Sequence, residues 1–361
     1  MGYLTTIKYA ILVFPFIALL FTMPFILSQY HKYGAISLLK SIIIYLFIFY
    51  MICAYFLVIL PLPKISDVAK MTSPKMQLIP FSFVIDFINH SSFNITNIHT
   101  YIPALKESYF YVPLFNIFLT IPFGMFLRYY FQCDMKKTML YSFLLSLFFE
   151  LTQLSGLYFI YPRGYRLFDV DDLFLNTCGS IVGYLLLQPF MNIIPKINEI
   201  NDKAKERGKT VSGPRRTLAF ILDFLILLFI ELIATVIFEN NVYPLLLIAV
   251  IYYFIIPLFL NTSTLGKRFL KIQVLDNNNE KNIKKLFIRK ILSLSIYVLI
   301  PLGICQIILY TNNSNFKEFI GMMIIGFLFL MYSISFIKYL FTNKAMLYEK
   351  ISQTKLVSTI Q

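Results

Sequence analysis

Residues 138–160 read TMLYSFLLSLFFELTQLSGLYFI, and this stretch is long enough to cross a lipid bilayer. A helix that crosses the hydrocarbon core needs about 20 mostly apolar residues. Glu150 is the only charged side chain in the stretch, and a carboxylate in hydrocarbon costs roughly 2.5–3.5 kcal/mol on insertion scales. The stretch therefore predicts a membrane-spanning helix whose acid faces the interior of a helical bundle.

Eight other stretches have the same apolar character, and the composition agrees with them. Hydrophobic residues make up 58% of the 361 positions, charged residues only 14%, and the mean hydropathy is +0.72. A soluble domain needs much more polar surface than this. We therefore predict an all-α fold, a polytopic transmembrane helical bundle with about nine helices in two bundles. The other predicted spans are 6–29, 37–60, 111–131, 173–194, 217–238, 243–260, 289–310 and 318–341.

The basic residues are distributed unequally between the loops that join these spans. With the N-terminus outside, about three quarters of the 32 Lys and Arg residues face the cytoplasm, as the positive-inside rule predicts. This orientation leaves the C-terminus in the cytoplasm and describes a multi-pass protein of the cell membrane. The same loops account for the formal net charge of +14, so we expect no nucleic-acid partner.

A charged segment divides the predicted spans into two groups. Residues 195–214 are rich in both charge signs and end in Ser-Gly-Pro, a combination typical of a linker. We therefore expect one membrane domain over 1–194, a charged cytoplasmic linker over 195–214, a second membrane domain over 215–345 and a cytoplasmic tail over 346–361.

The longest external loop, residues 61–110, carries the apolar run MQLIPFSFVIDFI. The run is too short to cross a bilayer, so we expect it to lie along the membrane interface or to re-enter the membrane.

Polar residues recur at helical spacing around and after Glu150. Gln153 lies three residues further on the same helical face, and four later polar residues are spaced by three, three and four. Either they form a solvated capping turn with an Arg–Asp pair, or they line a polar pocket at the outer membrane face. Gln153 and a neighbouring helix could also simply satisfy a protonated Glu150. The candidate cluster is Asn116, Glu150, Gln153, Arg166, Asp169, Asp172 and Asn176.

Small residues stand beside this cluster. Gly179 and Gly183 are four apart, a spacing that lets another helix backbone approach closely. Pro122 and Gly124 follow Asn116 in the same predicted span and would loosen that helix.

In the second half, Asp223 lies just inside the sixth predicted span, about two turns after Arg216. A structural cap or an Arg216–Asp223 pair explains this position as well as a proton relay does. The Thr-Leu-Gly-Lys sequence at 264–267 lacks the earlier glycine of a phosphate-binding loop, so we expect no bound nucleotide.

The four cysteines stand apart, in or beside apolar runs, without CxxC or Cys/His spacing. Zinc sites and disulfide frameworks need such patterns. We therefore expect free buried thiols, no metal and no cofactor. The cysteines are Cys53, Cys133, Cys178 and Cys305.

The first half resembles the VanZ-like family over roughly residues 1–190. The resemblance implies an association with low-level resistance to lipoglycopeptide antibiotics such as teicoplanin. The Lys-, Ile-, Asn- and Phe-rich composition is typical of a low-GC Gram-positive bacterium. The resemblance is carried by LIPF at 78–81, Asn116, Pro122, Gly124, Glu150, Gln153, Arg166, Asp169, Asp172, Asn176, Gly179 and Gly183.

The second half resembles an RDD-family domain over roughly residues 210–345. The resemblance implies little about activity, because such domains are mostly of unknown function, with transport suggested for some members. Ala219 agrees with the family, and the RDD-like motif is Arg216, Asp223, Thr264, Gly266, Lys267 and Arg289.

Three functions agree with these observations. The first is a non-enzymatic membrane factor of the cell envelope, affecting how cell-wall or teichoic-acid lipids meet glycopeptides; its partners would be membrane lipids and such intermediates. The second is an ion-coupled or lipid transporter using Glu150 and Asp223, although the halves show no internal repeat. The third is a membrane-embedded envelope enzyme with a carboxylate site, which no nucleophile motif accompanies. We rank the membrane factor first.

Overall fold

The computed structural model describes residues 3–238, 242–300, 303, 315–341 and 345–360. The chain divides into two compact units, one formed by Met1–Thr22 and Leu38–Ile200 and the other by Met23–Ser37 and Asn201–Gln361. The first helix, Tyr3–Tyr33, is therefore divided between the units: its residues up to Thr22 belong to the first unit and those from Met23 onward to the second.

The elements up to the end of the predicted linker, residue 214, are mostly helices. Long helices are joined by shorter helices and turns, and two strands of two residues each form a small parallel pair. In chain order they are α1 (Tyr3–Tyr33), α2 (Leu38–Ile59), α3 (Ile65–Ala69), β1 (Met76–Gln77), α4 (Ser82–His90), α5 (Tyr101–Leu105), α6 (Ser108–Tyr129), α7 (Met135–Leu154), α8 (Gly156–Phe159), β2 (Phe168–Asp169), α9 (Val170–Leu186) and α10 (Ile197–Gly208).

The elements after the linker combine long helices with one antiparallel strand pair. Two of the helices continue into a π-helical turn, at Ile251–Ile255 and at Ser295–Leu299. In chain order they are α11 (Gly213–Ile237), α12 (Val242–Val250), α13 (Ile256–Phe259), α14 (Leu265–Phe269), β3 (Ile272–Asp276), α15 (Ile283–Leu294), α16 (Asn315–Phe341), α17 (Leu347–Ile351) and β4 (Thr354–Ser358).

The predicted all-α membrane class is confirmed. Within the described residues, six helices are long and apolar enough to cross a membrane, and Tyr243–Phe259 forms a shorter apolar helix. Much of the predicted span 289–310 lies outside the described residues. The six helices are Thr6–Tyr33, Leu38–Ile59, Ser108–Tyr129, Val170–Asn192, Gly213–Ile237 and Met323–Leu340.

The opening stretch, residues 138–160, is helical, but its helix ends earlier than predicted and is not among these six. α7 stops at Leu154, and the backbone then takes the left-handed conformation, with φ of +63° at Gly156 and +56° at Leu157. A Cβ at Gly156 would lie 2.6 Å from the carbonyl oxygen of Arg163. The Ser-Gly pair thus turns the chain where hydropathy alone continues the span.

The two helices α6 and α9 pack with their backbones close together, as the small residues predict. A Cβ at Gly179 would lie 2.2 Å from the carbonyl oxygen of Ile117, and one at Gly183 would lie 2.0 Å from that of Ile121. From the other side, a Cβ at Gly124 would lie 1.8 Å from the Ser180 carbonyl oxygen. No larger side chain fits these contacts without moving a helix.

Two strand pairs connect segments that are distant in sequence. β1 and β2 are parallel, with Gln77 opposite Asp169. β3 and β4 are antiparallel, with Ile272 opposite Ser358. Residues 346–361, which we expected to form a tail, thus contribute α17 and β4 to the second unit.

The cysteine prediction needs one correction. Cys53 and Cys133 are free but only half-buried, and Cys178 is free and exposed. Cys178 precedes Gly179 on α9 and points away from the face that packs on α6, which explains its exposure. Cys305 lies outside the described residues.

Candidate functional site

Three helices of the first unit bring predicted polar residues together. Glu150 of α7 is only 2% exposed, and its Oε2 accepts a hydrogen bond from the backbone N–H of Asp169 at 2.9 Å. Asn116 of α6 donates through Nδ2 to Asp172 Oδ1 at 2.5 Å. Thus the acids at the end of α7 and at the start of α9 lie close together, and Glu150 is buried while the others are half-buried. We call this set the carboxylate cluster: Asn116, Glu150, Asp169 and Asp172.

A face of small polar residues on α7 allows this approach. Thr138, Ser142, Ser146 and Glu150 follow at intervals of four, so they lie on one side of the helix, and all four are buried. Ser146 Oγ donates to the carbonyl of Asp172 at 3.0 Å. Short side chains there let α9 approach α7 closely enough for the carboxylates to meet.

Asn176 continues the site along α9. Its Nδ2 donates to Ser146 Oγ at 2.8 Å, and its carbonyl accepts from Thr120 Oγ1 at 2.7 Å. Its Oδ1 is buried and has no hydrogen-bond partner among the described residues. Buried polar atoms are normally satisfied, so this amide oxygen is an unmet hydrogen-bond acceptor beside the carboxylate cluster.

Gln153 has a different role from the one its spacing suggests. Its Nε2 donates to the carbonyl of Val58 at 3.3 Å. That bond connects α7 to α2, and no Gln153–Glu150 hydrogen bond occurs among the described side chains. Gln153 thus fixes the helix packing next to the cluster.

Two arginines attach the turn after α7 to the segment after α2. Arg166 donates to the carbonyl of Leu60, and its charge also attracts Glu150. Arg163 donates to the carbonyls of Met71 and Ser73. Arg166 is therefore the basic member of the candidate cluster, whereas Arg163 holds the loop.

Asp171 is a buried acid that the sequence reasoning missed. Its carboxylate accepts from the N–H of Phe81 at 2.6 Å, from Ser82 Oγ at 2.8 Å and from the N–H of Phe83 at 3.1 Å. These groups begin α4, where Phe81 has a left-handed φ of +62°. Asp171 thus connects the LIPF segment at 78–81 to the start of α9. In the sequence, the only local indication of Asp171 is its position next to a second acid, Asp172.

In the second unit, Asp223 is surrounded by hydrogen-bond donors. It accepts from Tyr252 Oη at 2.7 Å, from Thr264 Oγ1 at 2.5 Å and from the Gly266 N–H at 2.7 Å. A Cβ at Gly266 would lie 2.4 Å from the Ala219 carbonyl oxygen. The predicted residues Asp223, Thr264 and Gly266 therefore meet and fasten α14 to α11; Tyr252 was not predicted.

Arg216 and Arg289 meet at an acid that was also missed. Arg289 Nη2 lies 2.7 Å from Glu349 Oε1, and Arg216 Nη1 lies 3.8 Å from Glu349 Oε2. Glu349 Oε2 further accepts the Met346 N–H at 2.8 Å. The carboxylate of α17 thus joins α11 and α15.

Arg215, next to the predicted Arg216, is the most buried cation of this unit at 0% exposure. Its guanidinium donates to backbone carbonyls of Gly208 at 2.8 Å, Leu270 at 2.7 Å and Lys271 at 2.9 Å. Carbonyls at helix ends carry partial negative charge, so they stabilise the guanidinium. Arg215 thereby fastens the ends of α10 and α14.

Comparison with protein families gives two matches. The VanZ/LLP1 family model matches residues 47–194, which include the whole carboxylate cluster. The RDD family model matches residues 211–346, which include Asp223 and its donors. Neither the curated proteins nor the solved structures gave a match. The chain therefore fuses an N-terminal VanZ-like domain to a C-terminal RDD-family domain.

Proposed function

We propose that this membrane protein acts at the outer face of the cytoplasmic membrane of a Gram-positive cell and confers low-level resistance to lipoglycopeptides such as teicoplanin. In this proposal it changes how cell-wall or teichoic-acid lipids meet the antibiotic. The observation that carries the proposal is the carboxylate cluster, because residues of the VanZ-like pattern that are far apart in sequence converge there.

The electrostatics of the cluster favour a ligand-binding role. Glu150, Asp169 and Asp172 interact with one another as like charges, and Arg166 supplies attraction to Glu150. Buried acids in a membrane domain are costly and are usually retained for function. An excess of carboxylates suits a ligand that donates hydrogen bonds or carries an ammonium group.

The position of the cluster agrees with an outer site. It lies at the C-terminal end of α7 and the N-terminal end of α9, whereas Lys136 and Lys137 begin α7 at the opposite end. The positive-inside rule predicts a cytoplasmic position for the lysine end, which supports a position of the carboxylates nearer to the outside. Glycopeptides act on that side of the membrane.

Transport and envelope catalysis receive less support. A relay residue must exchange its proton or ion, but the carboxylate of Asp223 already accepts three hydrogen bonds. An enzyme would need a nucleophile or a positioned water beside Glu150, and the described contacts of Glu150 are to a backbone N–H and to charges.

The test uses a deletion strain complemented with variants and measures teicoplanin susceptibility at matched membrane protein levels. Glu150→Gln and Asp172→Asn keep the side-chain shape and remove the charge, so we expect normal expression with loss of resistance. Asp67→Asn is the control, because Asp67 is an exposed acid of the external segment. Full resistance with normally expressed Glu150→Gln would rule out a role for the ionised carboxylate.

A further inference from the structure

A second cluster of charged residues lies in the RDD-like unit, apart from the carboxylate cluster. It contains four cations, Arg216, Lys267, Arg289 and Lys290, and two acids, Asp223 and Glu349, whose charges interact. This set, which we call the basic cluster, has a formal excess of two positive charges. Uncompensated charge in a half-buried site is unfavourable unless something neutralises it.

The two acids are already engaged by other groups. Glu349 is paired with Arg289 at 2.7 Å and lies 3.8 Å from Arg216. Asp223 accepts hydrogen bonds from Tyr252, Thr264 and Gly266. Both carboxylates therefore make their short contacts to other groups, and they attract the Lys267 ammonium group without forming a direct ion pair with it.

Lys267 and Lys290 are the cations that remain. Both side chains are half-buried, and neither ammonium group makes a hydrogen bond or an ion pair to any described residue. Lys290 Nζ instead lies 5.3 Å from the centre of the Tyr253 ring, and its charge interacts with that of Lys267. Desolvation lowers the pKa of Lys267 to about 8, so this lysine is still mostly protonated at neutral pH.

The surroundings also include apolar surface. Ile288, Ile291 and Leu294 of α15 are 47%, 53% and 41% exposed, on the helix that carries Lys290. Exposed apolar side chains on the helix of Lys290, together with two ammonium groups, match the two parts of a phospholipid, its acyl chains and its charged headgroup. Basic pockets on the cytoplasmic side of membrane domains bind anionic headgroups in this way.

We propose that Lys267 and Lys290 form a binding site for a phosphate-bearing anion. Two ammonium groups that repel each other are both neutralised by one phosphate between them, while Arg289 and Arg216 keep the adjoining Glu349 fixed. The phosphate belongs either to the headgroup of an anionic phospholipid of the inner leaflet or to free phosphate, and the same lysines bind it in both cases. This site is separate from the outer carboxylate cluster and does not depend on its function.

The experiment is native mass spectrometry of the purified full-length protein in detergent, titrated with phosphatidylglycerol, phosphatidylcholine or inorganic phosphate. We expect wild-type protein to bind phosphatidylglycerol more tightly than phosphatidylcholine. Lys267→Gln and Lys290→Gln should each weaken that binding about fivefold, as expected for one basic residue at a headgroup. Lys284→Gln removes an exposed lysine of α15 and should leave the affinity unchanged.

The remaining outcomes decide the source of the phosphate or overturn the site. Binding of inorganic phosphate with the same dependence on both lysines assigns the site to free phosphate, and binding of phosphatidylglycerol alone assigns it to a lipid. Lys267→Arg and Lys290→Arg keep the charge and should keep the affinity, which separates binding from folding. The site does not exist if wild-type protein binds neither phosphatidylglycerol nor phosphate better than phosphatidylcholine, or if Lys284→Gln has the same effect as the other two.

Discussion

Glu349 joins three segments of the RDD-like unit through one carboxylate. Arg289 of α15 and Arg216 of α11 approach it from two sides, and the N–H of Met346 completes its contacts. The carboxylate and both guanidinium groups are buried. Removing one member of such a group leaves charges in the interior without compensation, which is far more costly than losing an exposed pair.

We therefore expect Glu349→Gln to lower the free energy of unfolding by about 3–5 kcal/mol. Thermal unfolding of the purified protein in detergent measures this as a fall in Tm. Glu206→Gln is the matched control, since Glu206 pairs with Lys209 at 2.6 Å but both side chains are more than half exposed. An exposed pair contributes only about 0–1 kcal/mol. Equal Tm values for the two variants would contradict the role given to Glu349.

At the scale of elements, the contact between α6 and α9 holds the carboxylate cluster in place. Asn116 and Asp172 reach each other because the glycines below them bring the two backbones together. Thr120 adds a hydrogen bond across the same contact, to the carbonyl of Asn176 at 2.7 Å. Packing of small residues is the main force between helices in lipid, so this contact determines the geometry of the site.

Gly183→Val should separate α6 from α9, because a Cβ at this position already lies 2.0 Å from the Ile121 carbonyl oxygen. We expect a loss of at least about 1–3 kcal/mol, the usual cost of overpacking, together with loss of the Asn116–Asp172 contact. Cys178→Val places the same side chain on the exposed face of α9 and should be tolerated. Membrane protein level and Tm measure both variants; a stable Gly183→Val protein would refute the close helix contact.

Spacing along the sequence predicts those parts of the site that lie within a few turns of one helix. The series Asp172, Asn176 and Gly179 was found in this way, because a 3.6-residue period puts the three on one face. Asp171 was missed, since its partner Phe81 is 90 residues away. Glu349 was missed for the same reason, with 60 residues between it and Arg289. Contacts between distant segments leave no periodic signal in one sequence.

The fold class was easier to predict than the ends of its helices. Helices that face lipid must be long and apolar, and the six helices of the described residues that meet this requirement all lie at predicted spans. Their ends depend on local turns, as at Gly156, where a left-handed backbone ends the helix within an apolar run. Hydropathy does not register such a turn.

At the scale of the whole molecule, the distribution of basic residues predicts that the N-terminus is outside and the C-terminus is in the cytoplasm. Single cysteines at Ser91 and Lys209, introduced after replacement of the four native cysteines, report on the two sides. An impermeant thiol reagent should label Ser91→Cys in intact cells and Lys209→Cys only after the cells are opened. Labelling of both positions in intact cells would refute this topology.

The divided first helix has a consequence for how the protein is made. Tyr30 of α1 packs with Leu218, Ala219, Leu270 and Ile272 in one core cluster, so residues at the start of the chain wait for partners that are translated much later. At a synthesis rate of roughly 5–20 residues per second, that wait lasts on the order of tens of seconds. The ribosome must deliver α11 and β3 before the core cluster around Tyr30 can form. The second unit is therefore completed by a segment that is translated before the helices of the first unit that follow it.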